Sequence, residues 1–343
     1  SRQREFLIKE GAHCGDFLHF HVSGEDFSST YSVGKKIGEG GFGKVFEATH
    51  NVLGVRRAVK RMIKSPGRDI LQKNELDALL ALDHPHIVKL CEYYDEEDFL
   101  FLVFEICEGV DLFEAISTAP TGKLSDYDAS VALRHMLKAL QCCHSQYRGH
   151  YDIKPENFMW KSQNRSNLKM VDLGLSSCFD TQRKRQICGT SAYMAPEFWD
   201  GIYGPEGDVW SCGVVLFVML TGQSFLEDVP GSVMKREVRV RKLLKERLQY
   251  AATECGLSKE AQDLLGLMLQ HDRHARPTIK EALKHPFNTR SYEIERRTQS
   301  KEGENAELKQ AHKLLRNLPR TVRNMVPEPM IKRVARLIMV HLS

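Results

Sequence analysis

The chain carries the sequence HYDIKPEN at residues 150–157 and the sequence VDLG at residues 171–174. Together they set charged and amide side chains in the order H-x-D-x-K-x-x-N and then D-x-G. Asp152 can orient a hydroxyl group and accept its proton, and Lys154 can neutralise charge on a moving phosphoryl group. The order and spacing predict phosphoryl transfer, a reaction that depends on positioning and charge stabilisation.

The same two stretches supply candidate metal ligands. Asn157 and Asp172 carry the oxygen atoms that Mg²⁺ prefers in proteins. Each residue could occur by chance on an exposed loop, but the complete ordered set argues against chance. We therefore predict a Mg²⁺ site at Asn157 and Asp172.

A glycine-rich stretch, GEGGFGKV, occurs far upstream at residues 38–45. Taken alone this G-x-G-x-x-G is weak, because a dinucleotide-binding fold would place a helix directly after it. Here the following residues, VFEAT at 45–49, have the pattern of a strand. That favours a β-hairpin whose backbone amides close over phosphates, with an ordinary glycine turn as the alternative.

A lysine ends the sequence RAVK at residues 57–60 on the third predicted strand. A lysine inside an apolar strand is costly unless its charge is matched. ATP phosphates and a carboxylate would match the charge of Lys60, and Glu75, fifteen residues later on a predicted helix, is the candidate carboxylate. For Lys60 alone, a solvated strand lysine remains the alternative.

The hydrophobic pattern changes part-way along the chain. Strands are predicted at 31–37, 44–49 and 55–62, with a helix at 70–82. After residue 112 the pattern is helical, and helices are predicted at 129–146, 208–221 and 261–270. A strand-rich lobe followed by a helix-rich lobe predicts an α+β fold with a cleft between two packed units.

These motifs resemble the eukaryotic protein kinase family over roughly residues 31–287. The sequences APE at 195–197, DVWSCG at 208–213 and HDRHARPT at 271–278 also match it. The resemblance implies that Arg276 pairs with Glu197. It implies a bilobal protein-kinase fold, with the following division: an N-terminal extension at 1–30, an N-lobe of antiparallel β-sheet with one helix at 31–104, a hinge at 105–110, a mainly α-helical C-lobe at 111–287, and a linker with an autoinhibitory junction segment at 288–343.

The resemblance also implies ATP and Mg²⁺ as cofactors and assigns roles to site residues. The catalytic residues would be Asp152, Lys154, Lys60 and Glu75, and Asn157 and Asp172 would hold the metal. Phe104 would be the gatekeeper and Asp111 the ribose contact. The nucleotide-binding residues would be Ile37, Gly38, Gly40, Gly41, Phe42, Gly43, Val45, Ala58, Lys60, Phe104, Glu105, Cys107, Asp111, Met159 and Asp172.

The substrates implied are proteins with acceptor serine or threonine. Lys154, two residues after the candidate base, and Thr190 in Gly189-Thr190 resemble the Ser/Thr kinases. Asp111 and Glu156 would face the peptide, and carboxylates there favour a basic residue upstream of the acceptor.

Two positions depart from the family pattern. Tyr151 stands where the family usually has an arginine that an activation-loop phosphate neutralises. Without that arginine, we predict that phosphorylation of the activation segment is not required for activity. Leu173 replaces the phenylalanine of D-F-G, and because it is still apolar we do not interpret it as inactivating.

Composition and charge limit the classes of binding partner and the cellular compartment that we expect for the protein. A formal net charge of +4 is too small to suggest nucleic-acid binding. The nine cysteines show no C-x-x-C spacing, which favours reduced thiols and a cytoplasmic protein. The longest apolar run, residues 214–220, is too short to be a transmembrane segment. The chain begins with Ser1 rather than Met, so we expect a piece of a longer protein, in which a preceding segment could attach to a membrane.

The N-terminal extension is hard to interpret. Residues 1–29 contain a cysteine and several histidines, but no ligand spacing supports zinc, and we expect a loosely packed extension.

The C-terminal segment carries the charge imbalance. Residues 320–343 hold a net charge of +4, and residues 330–342 form a basic amphipathic pattern. Such segments lie on anionic membranes, bind calmodulin-like grooves or fold back on their own domain, and a helix packed on the large lobe is the simpler alternative.

Residues 287–343 resemble the junction of calcium-dependent protein kinases of plants and apicomplexan parasites, as do LLALDHP at 79–85 and EALKHPF at 281–287. In that group a calmodulin-like domain of EF-hands follows, whereas this chain contains no EF-hand loop and stops near where it would begin. We expect a Ca²⁺ sensor in cis. The alternatives are a kinase activated by separate calmodulin and a nucleotide-binding pseudokinase scaffold, and the full set of catalytic residues argues against the scaffold.

Overall fold

A computed structural model describes residues 20–21, 26–40, 43–64, 69–174, 177–178, 189–226 and 237–289. Gly41, Phe42 and the amphipathic pattern at 330–342 lie outside these residues. The chain divides into two units, residues 1–285 and residues 286–343, and the elements below belong to the first.

A six-stranded sheet forms the N-lobe, in the order β1-β5-β6-β4-β3-β2. All neighbouring strands are antiparallel except β1, which runs parallel to β5. The strands are β1 (Phe20–His21), β2 (Tyr31–Gly40), β3 (Gly43–His50), β4 (Arg56–Ile63), β5 (Leu90–Asp95) and β6 (Phe99–Phe104). The antiparallel sheet confirms the predicted N-lobe, and β1 is an addition to it.

An aromatic cluster packs on one face of this sheet. Phe27, in the short helix α1 (Phe27–Thr30), stacks on Phe101 with ring centroids 4.2 Å apart and meets Tyr94 edge to face. Phe27 is only 3% exposed, so burial of its ring stabilises the lobe. This end of the N-terminal extension is part of the core, rather than loosely packed as we expected.

One long helix accompanies the sheet in the N-lobe. Helix α2 (Asp69–Ala81) buries Ala78 and Leu79 on one side. The Gln72 side chain donates to the carbonyl oxygen of Ile63 at 2.8 Å, which ties the helix to the end of β4. These contacts fix the side of α2 that carries Glu75.

The C-lobe is mainly helical and confirms the predicted α+β class. Its helices are α3 (Leu112–Ser117), α4 (Asp126–Ser145), α5 (Pro205–Thr221), α6 (Glu237–Thr253), α7 (Lys259–Met268) and α8 (Ile279–Lys284). Helix α5 is buried at every position from 207 to 221, as expected for a helix with apolar residues on all sides, and the buried stretch also includes the polar residues Asp208, Ser211 and Thr221. A capping box of Thr278 and Glu281 begins α8.

Two short strand pairs lie next to the HYDIKPEN stretch. Strand β7 (Arg148–Gly149) pairs with β10 (Ser177–Cys178), and β8 (Phe158–Trp160) pairs with β9 (Leu168–Met170). The residues between β7 and β8 are therefore held at both ends. Among the described residues, no helix combines the length and apolarity needed to cross a bilayer.

Candidate active site

A buried ion pair joins the sheet to helix α2. The Nζ of Lys60 lies 2.7 Å from Oε1 of Glu75 and 3.2 Å from Oδ1 of Asp172. Burial by itself would lower the pKa of Lys60, but the two carboxylates outweigh it and raise that pKa. Lys60 therefore stays protonated, and the two partners come from elements far apart in sequence.

A buried aspartate, Asp208, anchors the backbone of the HYDIKPEN stretch. Asp208, at the start of α5, accepts hydrogen bonds from the backbone N–H groups of His150 at 2.9 Å and Tyr151 at 2.8 Å. His144 Nε2 lies 2.8 Å from the same carboxylate. Burial opposes the charged form, but His144 and these hydrogen bonds lower the pKa of Asp208. Tyr151 adopts φ 67°, an uncommon conformation for a non-glycine residue, which the bonds to Asp208 help to hold.

The candidate base lies in a tight polar cluster. Thr190 donates to Oδ1 of Asp152 through its backbone N–H at 2.9 Å and through its hydroxyl at 2.7 Å. Lys154 Nζ lies 2.8 Å from Oδ2 of Asp152 and donates to the Thr190 hydroxyl at 3.0 Å. Burial would raise the pKa of Asp152, but hydrogen bonds from Lys154 and Thr190 lower it. The carboxylate is therefore ionised and oriented.

The two candidate metal ligands are held by backbone contacts on either side of the β8–β9 pair. Asn157 Nδ2 donates to the carbonyl oxygen of Asp152 at 2.7 Å, which leaves the amide oxygen as its acceptor atom. The Gly174 N–H donates to Oδ1 of Asp172 at 3.0 Å, and the Val171 N–H donates to the carbonyl oxygen of Asn157 at 2.9 Å. An amide oxygen and a carboxylate suit a hard divalent cation.

The predicted nucleotide-binding residues lie on adjoining strands and connections. In the sheet, Val45 is opposite Lys60 and Ala58 is opposite Phe104. Met159 forms an isolated β-bridge with Asp111, so these two residues lie side by side. The roles of these residues stay predictions, and Gly41 and Phe42 lie outside the described part.

Three other members of the predicted set have particular environments. Gly38 pairs with Val45 in the hairpin, as expected, and Ile37 is 45% exposed. A Cβ on Gly43 would lie 2.5 Å from the carbonyl oxygen of Arg61, so only glycine fits there. Burial, assisted by nearby Glu105, raises the pKa of the Cys107 thiol to about 11, so this thiol is not a reactive thiolate.

The ion pair between Arg276 and Glu197 is present. Arg276 binds both carboxylate oxygens of Glu197, at 2.6 and 2.8 Å, and lies over the Trp210 ring at 5.0 Å. This confirms the expected pair, and its bidentate form fixes the end of the activation segment to the helical lobe.

A family model described as the protein kinase domain matches residues 31–288. The chain belongs to the protein kinase family. Sequence reasoning about this kinase did not assign an anchoring role to Asp208, although an aspartate in the first turn of a mainly apolar helix was a usable signal.

Three curated relatives illustrate the family. Calcium-dependent protein kinase 5 of Plasmodium falciparum is 30% identical over 77% of this chain, and calcium-dependent protein kinase 12 of Arabidopsis thaliana is 31% identical over 77%. Sperm motility kinase 2B of Mus musculus is 32% identical over 77%. The chain spans about half the length of these relatives, at 46%, 54% and 53% respectively. Protein kinase domains in general use ATP together with a divalent metal.

Proposed function

We propose that this kinase transfers the γ-phosphate of ATP, with Mg²⁺, to serine or threonine hydroxyls of protein substrates. The observation that carries the proposal is that Lys154 and Thr190 both contact the Asp152 carboxylate and each other. A lysine and a threonine at these places resemble Ser/Thr kinases, and tyrosine kinases differ at both.

The side chains divide the chemistry between them. Asp152 orients the acceptor hydroxyl and takes its proton as the new oxygen–phosphorus bond forms and the bond to ADP breaks. Lys154 supplies positive charge beside the transferred group, and Lys60, fixed by Glu75, supplies it at the phosphates. Asn157 and Asp172 would hold Mg²⁺, which neutralises phosphate charge.

Peptides that differ only in the acceptor residue test this proposal. Radiolabelled ATP is supplied with matched peptides that carry serine, threonine or tyrosine, and Asp152→Asn is the control. Label in the serine and threonine peptides that depends on Asp152 supports the proposal. Label confined to the tyrosine peptide contradicts the substrate class. No label, either with the parent chain or after removal of residues 302–343, supports the pseudokinase alternative.

We also propose a preference for basic residues upstream of the acceptor. Glu156 is exposed, and Asp111 is half-buried at the start of α3, where its Oδ1 accepts from the Glu114 N–H at 2.7 Å. These charges favour a cationic peptide through complementarity. Peptide arrays with arginine, alanine or glutamate upstream should favour arginine, and Glu156→Gln should weaken that preference. No preference for arginine or lysine would remove the proposal.

Calcium regulation is proposed from the relatives and from the tail. Two of the relatives above are named calcium-dependent protein kinases, and residues 330–342 of this chain form a basic amphipathic pattern. The segment would inhibit at basal calcium and be released by a sensor in cis. Removing residues 302–343 should raise the kinase rate, and an unchanged rate would contradict inhibition by the tail. Activation of the parent chain by added Ca²⁺–calmodulin would favour the separate-calmodulin alternative.

A further inference from the structure

Lys161 contacts the hinge, residues 105–110, from the C-lobe side. Its Nζ donates to Oε2 of Glu105 at 2.6 Å and to the backbone carbonyl oxygen of Ile106 at 2.9 Å. Lys161 follows β8 directly, and its own carbonyl oxygen accepts from the Glu108 N–H at 3.0 Å. Lys161 thus binds hinge residues 105, 106 and 108.

Glu105 connects the same segment to a second cation. Its Oε1 lies 2.7 Å from Lys169 Nζ on β9 and accepts from the Lys89 N–H at 2.9 Å. The Glu105 side chain is 17% exposed, so an unmatched charge there would be costly. Burial opposes ionisation, but the hydrogen bonds from Lys161 and Lys169 lower the pKa of Glu105. The carboxylate is therefore charged and bound on both oxygens.

The N-lobe also binds this segment, through two hydrogen bonds between Lys89 and Glu105 and through an exposed ion pair of Arg56. Arg56 donates to Glu108 at 2.9 Å and to Glu47 at 2.6 Å. The Arg56 and Glu108 side chains are 50% and 57% exposed, so water and salt screen their attraction. The contacts of Lys161 with Glu105 are less exposed than the ion pair between Arg56 and Glu108, so they constrain the segment more strongly than that pair does.

We propose that Lys161 is a positioning residue for nucleotide binding. It holds the Ile106 carbonyl and the Glu105 side chain, and so fixes the direction in which the hinge backbone presents its remaining N–H and C=O groups to the adenine. A backbone ordered before the ligand arrives avoids the ordering cost at binding. The inference rests on the proposed function, because it requires that ATP bind at this hinge.

The test compares Lys161→Met with a matched control, Lys123→Met. Lys123 also donates its Nζ to a backbone carbonyl at 2.9 Å, that of Cys255, which is remote from the hinge in sequence. We measure ADP affinity by calorimetry, together with KM for ATP, KM for peptide, kcat and thermal unfolding. Lys161→Met should weaken ADP binding and raise KM for ATP by roughly five- to tenfold, with kcat and peptide KM nearly unchanged. Lys161→Arg should restore most of the affinity, and Lys123→Met should bind ADP like the parent.

Several outcomes overturn the inference. Parental ADP affinity in Lys161→Met does so, as does an equal loss in Lys123→Met, which would indicate general destabilisation. If Lys161→Met is unfolded at the assay temperature, Lys161→Gln replaces it, and intermediate affinity supports the inference whereas parental affinity overturns it. Failure of the parent chain to bind ADP would instead remove the proposed function, and this inference with it.

Discussion

The hydroxyl of Thr190 donates a 2.7 Å hydrogen bond to Oδ1 of Asp152, and the Thr190 N–H reaches the same oxygen at 2.9 Å. The other oxygen, Oδ2, lies 2.8 Å from Lys154 Nζ. The carboxylate of the candidate base is therefore restrained at both oxygens. Thr190 belongs to the activation segment, which runs from Asp172 to Glu197, so this segment directly orients the base.

The first prediction concerns this bond. Thr190→Val keeps the shape of the side chain but removes the hydroxyl, so Asp152 loses one donor and Lys154 loses an acceptor. We expect kcat to fall by about tenfold, in line with the loss of a hydrogen bond to a charged group. Thr190→Ser, which keeps the hydroxyl, should stay near the parent rate. Steady-state kinetics on one peptide check this, and a kcat for Thr190→Val within twofold of the parent contradicts it.

The second prediction separates activity from stability at Lys60. Lys60→Met leaves the Glu75 side chain, which is 2% exposed, without its cation, and breaking a buried pair in this way costs about 3–5 kcal/mol. The double variant Lys60→Met/Glu75→Gln removes both charges, so most of the unfolding free energy should return while phosphoryl transfer stays lost. Denaturant unfolding and a kinase assay check the two parts. A double variant as unstable as Lys60→Met would show that the unpaired charge is not the cause.

The third prediction concerns acid pH and Asp208. Its pKa is lowered from the ordinary value of 3.8 in the folded protein, so its contribution to stability is present above pH 3.8 and is lost as pH falls through the folded value. Asp208→Asn removes that contribution. The difference in unfolding free energy between the parent and the variant should be largest near neutral pH and should shrink below pH 3.8. Urea unfolding across this pH range measures the difference in unfolding free energy. A difference that grows as pH falls would contradict the prediction.

The fourth prediction concerns Tyr151, which is 2% exposed. Its ring meets Phe198 and Tyr203 edge to face, with centroids 5.8 and 5.2 Å away. The family usually has an arginine at this position, and an activation-loop phosphate neutralises its charge. Here buried aromatic packing replaces that arginine, so protein treated with phosphatase should keep its activity. Protein that is inert after treatment and regains activity on phosphorylation of the loop contradicts this.

Tyr151→Arg should lower the unfolding temperature, because a guanidinium would be buried among these rings.

Much of the secondary structure could be predicted because its signals are local. The third predicted strand, 55–62, is observed as Arg56–Ile63, and the predicted helix at 70–82 is observed as Asp69–Ala81. Alternation and helical spacing are encoded within a few residues. The packing of α1 could not be predicted, because Phe27 is buried by Tyr94 and Phe101, which are distant in sequence.

Some features of the candidate site could likewise be predicted from the sequence, and others could not. Its motif residues could be found because their order along the chain is itself the signal, and the structure brings Lys60, Glu75 and Asp172 together. The contacts of Glu105 with Lys161 and Lys169 were missed because they join three residues from separate parts of the chain. A lysine in the middle of β9, between two buried apolar residues, was the one available hint.

The most direct measurement is single-turnover transfer of the γ-phosphate to a serine peptide by the parent chain and by Asp152→Asn, with ADP affinity measured alongside. Asparagine fills the same space but cannot take the hydroxyl proton, so the rate constant should fall by about 10²–10⁴ while ADP affinity stays unchanged. A rate constant within a few-fold of the parent, with ADP still bound, would contradict the role given to Asp152 and with it the mechanism.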